Sequence, residues 1–491
     1  MKLYLIAHDL GTSGNKATLY TIKGQLIAST IETYGTNMKR TGYAEQNPLD
    51  WWKAVCNSTR KLMEGRDKTA VAGISFSGQM MGCVCLDAEG RLLKDSMIWA
   101  DTRASKETEK LIEKLGMEEI CAITGMRPAP NYTVEKAMWI KNHEPSVFQN
   151  TAVILQAKDY IIYRMTGELV TDRTDASATQ AYDIRTNQWS DKILKAADIS
   201  ADLFPKVFES ATVVGELREI PAEEMGLCKG IPVVAGGGDG LCAAVGAGSV
   251  AAGKGYCCLG SSSWVSCSTK KVFDNREGTI MFGPHVVDQS YVLSGTMQTG
   301  TLSYNWMKEK LYPNIGFDEV NEKIQHTEVG SNGVIFLPYL LGERSPWWNA
   351  SVRGSYLGLS MDTKPEDMMR AVVEGVGLNL GIIFDEITKH EPIYEINAIG
   401  GGAKAQIWRQ VLADIFNVPV YKMAASDEGS SFGAIVIAGV ALGIFEDYNS
   451  VLNLIQRESC CEPDAMNHKI YCELKERFKE AYKITSQFYG A

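Results

Sequence analysis

One carboxylate stands out by its surroundings. In "VVAGGGDGLCAAVGAG", Val233 to Gly248, three glycines precede Asp239 and one follows it. The apolar "IPVVA" before it reads as a buried strand, which puts Asp239 at a strand exit, where open α/β sheets bind ligands. Asp239 could simply cap the following helix. A cap alone does not account for three glycines, which let another molecule come close to the backbone. Asp239 is therefore read as a base over which two ligands meet.

A second carboxylate, Asp9, opens "DLGTSGNK". Gly11, Thr12, Ser13 and Lys16 offer amides, hydroxyls and one ammonium group to a phosphate. "LGSSS", which contains Ser261, is another turn of this kind. "IGGGAKAQIW" places Gly401, Gly402 and Ala403 between a strand and a helix N-terminus, where amides and the helix dipole favour anions. Asp9 could be a plain turn aspartate. Beside phosphates it would repel them unless a cation intervened, so Mg²⁺ is expected at Asp9, with Asp239 as a second ligand. Neither a Walker A loop nor a dinucleotide GxGxxG with its acid is present. Together these residues fit phosphoryl transfer, which needs a metal, donors around the phosphates and a carboxylate to accept the proton of the attacking hydroxyl.

The elements that must position them alternate strands and helices, which indicates an α/β fold. "LYLIAHD", the glycine turn and "ATLYTI" read as a hairpin, followed by "LIAST". His8 faces opposite to Asp9 on its strand and is read as structural. "GYCCLGSSSWVSCS" repeats the hairpin half a chain later, so the two look like the openings of similarly built domains. "QAKDYIIYRMTGE" reads as an amphipathic helix, and Pro365 begins another whose Gly375 and Gly377 suggest close packing. "EINAIGGGAKAQIWRQVLADIFNVPVYK" reads as strand, turn, helix, strand, and "SDEGSSFGAIVIAGVALG" as a loop feeding a small-residue helix.

A chain of 491 residues exceeds one compact core, so two domains are expected, at 1–247 and 248–491. A net charge of −10 argues against nucleic acid as a partner. No apolar run has the length of a membrane span, and the start does not resemble a signal peptide. The 12 cysteines form neither a disulfide framework nor a zinc pattern, so buried reduced thiols and a cytoplasmic location are expected.

These motifs, in this order and over essentially the whole chain, resemble the FGGY family of carbohydrate kinases. "DLGTSGNK" resembles the family's first phosphate motif, "GGGDG" its catalytic segment and "GGGAK" its nucleotide segment. "GSYLGLSMDTKPEDMMRAVVE" resembles its C-terminal signature, and "GERSPWWNASVRG" the loop before it. The resemblance implies an actin-like ATPase fold, with two ribonuclease-H-like domains closing a cleft on ATP and a small sugar. It further implies Gly300 near ATP and Gln406 near adenine; a homodimer is a possible assembly.

Within the family, "SFSGQMMGCVCLD" and "IWADTR" resemble segments of the xylulokinases. The resemblance assigns Gln79, Met80 and Met81 to the sugar, with Trp99, Asp101, Arg103 and Asn131 as further candidates. Trp99 could instead be core, and Asp101–Arg103 a surface ion pair. Two positions depart from that subgroup: Met81 stands where histidine is expected, and Gly240 where asparagine is common. Both lie on the sugar side; the expected substrate is a xylulose-like ketopentose, with another small polyol, a tetrulose or a sugar acid as the alternative. An actin-like ATPase without a sugar substrate is the reading from another class.

Overall fold

The computed structural model describes residues 2–424 and 428–489. Ser426 and Asp427, read above as part of the loop before the last small-residue helix, lie outside the described residues.

Two sheets share one plan. The first contains β1 (Tyr4–Leu10), β2 (Gly14–Thr21), β3 (Leu26–Thr33), β4 (Val71–Gly78), β5 (Val213–Glu216) and β6 (Pro232–Val234). Their order is β5-β6-β4-β1-β2-β3, and Gly237–Gly238 run parallel to the end of β4. The second contains β7 (Gly255–Leu259), β8 (Ser263–Thr269), β9 (Met281–Pro284), β10 (Tyr291–Met297), β11 (Ile396–Ile399), β12 (Val420–Met423) and β13 (Arg457–Cys461), in the order β9-β10-β8-β7-β11-β12-β13. In each, an antiparallel hairpin leads into parallel neighbours and an antiparallel edge: β1 pairs β2 antiparallel and β4 parallel, and β7 pairs β8 antiparallel and β11 parallel. The two hairpins therefore open equivalent sheets, the actin-like arrangement of two ribonuclease-H-like halves.

Register explains which side chains meet. Asp9 lies opposite Lys16 on β2 and opposite Ser77 on β4. His8, one residue earlier, faces the other way into the layer covered by α1 (Pro48–Leu62). Its ring lies within 3.2 Å of Asn15 Nδ2 and 3.4 Å of Thr59 Oγ1, and burial pushes its pKa down to about 3, so it stays neutral. The segment expected to be amphipathic forms α2 (Ala157–Thr166), which is buried on nearly every side, with Lys158 and Asp159 among the buried residues. Lys158 and Asp159 pair with each other instead of facing water.

Helices α3 (Asp239–Gly246), α4 (Thr301–Leu311), α5 (Pro365–Thr388), α6 (Gln406–Phe416) and α7 (Gly429–Ala441) follow. In α5 a Cβ on Gly377 would stand 2.8 Å from Ile415 of α6, which is the close packing its glycines suggested. Helices α3 and α7 exchange sheets. Ala243, Ala244 and Ala247 pack with Tyr256, Cys258, Ile399 and Met423 of the second half, whereas Ala434–Ala438 of α7 pack with Leu5, Ala7 and Val234 of the first. The pair crosses at Gly246 and Gly433, where a Cβ would collide with the main chain of Gly429 and Cys242 respectively. The two halves are thus locked by a crossing of small residues directly behind Asp239. Among the cysteines, Cys460 and Cys472 are exposed, unlike the burial expected of the set. No helix among the described residues is long and apolar enough to cross a membrane.

Candidate active site

Asp239 is the first residue of α3, with Gly238 in extended conformation before it. Its Oδ1 accepts the Gly240 amide at 2.7 Å. The side chain is open to a cavity of ≈ 400 Å³ between the halves, lined by Met80, Met81 and Trp99 from the first and by Tyr256, Trp264 and Arg344 from the second. The Asp239 side chain is exposed within the cleft, where a ligand can touch it, while the surrounding cleft walls partly desolvate it. That desolvation, with the charge of Asp9 adding to it, pushes the Asp239 carboxyl up to about 7. It can therefore hold or release a proton near neutrality.

The glycines around it do a different job from the one read in the sequence. Gly236 adopts φ 69°, and a Cβ there would run into the Phe76 carbonyl. At Gly237 a Cβ would stand 2.7 Å from Val286, and at Gly238 it would collide with the Met80 thioether. Only Gly240 of the four has open space at its Cβ position. Three glycines make room for other parts of this chain, Phe76 of β4, Val286 and Met80, and one faces the cleft.

Asp9 is half-buried, with Oδ1 accepting from Ser77 Oγ at 2.8 Å. Burial raises its pKa, opposed by that bond and by Lys16. The turn that follows has its oxygens engaged: Gly11 O accepts Tyr34 Oη at 2.5 Å, Thr12 O accepts Gln46 Nε2 at 2.6 Å, and Thr12 Oγ1 accepts Trp99 Nε1 at 2.8 Å. Gly14 is required by closeness, since a Cβ would stand 2.6 Å from the Glu32 carbonyl. Lys16 pairs with Glu428 of the second half at 3.3 Å.

The turn between β7 and β8 is built from main chain. Gly300 N donates to Ser261 O at 2.7 Å and Thr301 N to Gly260 O at 2.9 Å. A Cβ on Gly402 would stand 2.8 Å from Thr301 and 2.9 Å from Leu259. Ser261, Gly300 and the Gly401–Ala403 turn therefore gather at one end of the second sheet. Gln406 starts α6 and borders a separate cavity of ≈ 270 Å³, with Gln325, Arg370 and Asp414.

On the expected sugar face, Met80, Met81 and Trp99 reach the cavity, and Trp99 is 42% exposed. The others stand behind it. Gln79 is buried and donates to Gln46 Oε1 at 2.9 Å. Asp101 and Arg103 form neither a surface pair nor part of the cavity lining. Asp101 Oδ2 accepts the Ala44 amide at 2.7 Å, and the Arg103 guanidinium bridges Asp101 and Glu45 over the Tyr43 ring. Asn131 braces Trp99 by donating to its carbonyl at 2.9 Å. Thr174, Trp264 and Arg344 also line the cavity and were not singled out from the sequence. Trp264 and Arg344 sit inside two motifs that were quoted, so the stretch was found without its residue. Nothing in "TDRTDASAT" marked Thr174.

Over residues 4–246 the chain matches the N-terminal domain of the FGGY family of carbohydrate kinases, and over 255–442 the C-terminal domain. It belongs to that family. This FGGY kinase is 34% identical to the xylulose kinase of Bacillus subtilis over 98% of its own length and 97% of the relative's. Its fold superposes on the ligand-bound xylulose kinase of Lactobacillus acidophilus with a TM-score of 0.95 and 29% identity, each chain 99% covered. The gluconate kinase of the same organism gives 0.94 and 28%, again with each chain 99% covered. The chain is thus a carbohydrate kinase, and its family uses a sugar and ATP.

Proposed function

We propose that this kinase transfers the γ-phosphate of ATP directly, in line, to a hydroxyl of a xylulose-like ketopentose, in the cytoplasm. Asp239 takes the proton of the attacking hydroxyl. The observation that carries this is its carboxyl, raised to about 7, opening on a cavity that both halves line. Gly11, Thr12, Ser13 and Lys16 hold phosphates from the first half. Ser261, Gly300, Gly401, Gly402 and Ala403 do so from the second, with Gln406 toward the base. Mg²⁺ suits the donor set. Asp9 and Asp239 both have raised pKa values, and no group of three His, Cys, Asp or Glu among the described residues forms an all-protein metal cage. Mg²⁺ usually takes one or two carboxylates and completes its shell with water and phosphate. Bound there, it would offset polyphosphate charge. Met80, Met81 and Trp99 contact the sugar, while Gln79, Asp101, Arg103 and Asn131 hold that face in shape.

Asp239→Asn tests the base. Turnover should fall by about 10²-fold or more with ATP affinity nearly unchanged, measured by coupled ADP release and calorimetry. Retained turnover overturns the assignment.

One observation favours a second reading, a sugar acid. Arg344 lines the cavity, and its Nε is buried without a hydrogen-bond partner. An acid such as gluconate would meet that charge. ADP release assayed across pentuloses, polyols, tetruloses and aldonates separates the two. Turnover indifferent to every sugar would instead indicate an ATPase.

A further inference from the structure

We propose that Thr174 is the positioning residue for Asp239, holding the glycine-rich peptide before it through a hydroxyl whose direction is fixed by a buried ion cluster. This rests on Asp239 being the base.

A run of three glycines is the part of a chain with most conformational freedom. A base that follows such a run needs its peptide held by something other than its own side chains. Thr174 Oγ1 accepts the Gly238 amide, one residue before Asp239, at 2.9 Å. The same hydroxyl donates to Asp172 Oδ2 at 2.7 Å. A hydroxyl has one proton, so commitment of that proton to a carboxylate turns a lone pair toward Gly238.

The carboxylate is itself pinned. Asp172 also receives the Thr174 amide at 3.0 Å, Ser210 Oγ at 2.7 Å and Lys158 Nζ at 2.8 Å. Lys158 is fully buried and further pairs with Asp159 at 2.9 Å and Asp175 at 3.1 Å. Burial opposes ionisation of Asp172, but Lys158 and the hydrogen bonds outweigh it and hold its pKa below the usual range. The acceptor thus stays charged, and the Thr174 hydroxyl has no second orientation of similar energy. Thr174 also lines the cavity, so this bond lies at the cleft wall rather than deep in the core.

The geometry calls for Thr174→Val, which keeps the shape and removes the acceptor. The expected result is kcat lower by about tenfold, KM for ATP within about twofold, and Thr174→Ser restoring kcat to within about threefold of the parent. A role confined to stability would lower the melting temperature and leave turnover per folded molecule unchanged. Valine kcat within twofold of the parent overturns the proposal. If the valine variant does not fold, amide hydrogen exchange on the unsubstituted protein decides. Gly238 should exchange as slowly as the amides of β4, and exchange at the rate of an exposed loop overturns it. Asp239→Asn assayed in parallel separates the two ideas. Loss there with no effect at Thr174 rejects positioning alone, and no loss there rejects the base.

Discussion

The two glycine-hydroxyl turns occupy equivalent places in equivalent sheets, yet they are held by different means. The turn after β1 is braced chiefly by side chains: Tyr34, Gln46 and Trp99 reach in from other elements to bind its oxygens, with one main-chain bond from Tyr34 N to Ser13 O at 3.2 Å. The turn after β7 is braced chiefly by main chain, with Gly300 and Thr301 donating their amides to Ser261 and Gly260, and Ser263 Oγ adding one bond to Gly260 O at 3.2 Å. A turn braced by main chain depends on how closely backbones approach. A turn braced by side chains is coupled to whatever else those side chains touch. Trp99 lines the cavity between the halves, so the first turn is coupled to that cavity through a side chain, whereas the second borders it directly with Ser262.

The largest effect should come from the second turn. Gly300 has φ −86° and ψ −111°, and a Cβ there would stand 2.7 Å from Ser263 Cβ and 2.9 Å from the Gly260 carbonyl. Gly300→Ala must displace the turn itself, at a cost typical of overpacking, roughly 1–3 kcal/mol. KM for ATP is expected to rise about tenfold or more, since about 1.4 kcal/mol corresponds to tenfold. KM for the sugar should stay within about twofold. Equal effects on both substrates in steady-state kinetics would erase the contrast between the turns.

Trp99→Phe examines the first turn. The ring body remains, and one neutral hydrogen bond to Thr12 is lost, worth about 0.5–1.5 kcal/mol. Here KM for sugar and for ATP should rise together, each by about fivefold. A change confined to the sugar would mean that the turn stands without its brace.

This contrast also separates what the sequence revealed from what it concealed. The hairpins, the strand before Asp239 and the segments around β11, α6 and β12 were legible, because local pattern and glycine placement determine them. The same holds for α5, where Pro365 marks the start. The exchange of α3 and α7 between sheets was not legible. It depends on Gly246 meeting Gly429, and Gly433 meeting Cys242, across roughly 180–190 residues of chain. The purpose of Gly236 to Gly238 was misread for the same reason: Phe76, Val286 and Met80 arrive from distant segments. Asp101 and Arg103 looked available because nothing nearby in sequence revealed Glu45 or the Ala44 amide. Lys158, Asp172 and Thr174 read as an ordinary helix and loop. Spacing identifies groups that act from one loop, and only topology identifies groups that meet.

The smallest effect concerns the sugar-side departures. Met81 holds φ 66°, a region where histidine is among the better tolerated residues. Its carbonyl accepts Lys136 Nζ at 2.7 Å, and the next carbonyl, Gly82 O, accepts Thr133 Oγ1 at 3.0 Å. The loop's conformation is thus imposed from behind, and a new side chain at 81 should enter the cavity without moving the backbone. Gly240 has no atom within 4 Å of a Cβ position, so asparagine fits there as well. Met81→His with Gly240→Asn is expected to raise kcat/KM for D-xylulose by about threefold to tenfold, the worth of one or two uncharged hydrogen bonds. KM for ATP should not move, because neither residue touches a phosphate turn. A gain on a sugar acid instead of the ketose would assign the polarity of this face to the Arg344 end of the cavity. No gain on any substrate would mean that shape, set by Met80 against Gly238, discriminates here rather than hydrogen bonding.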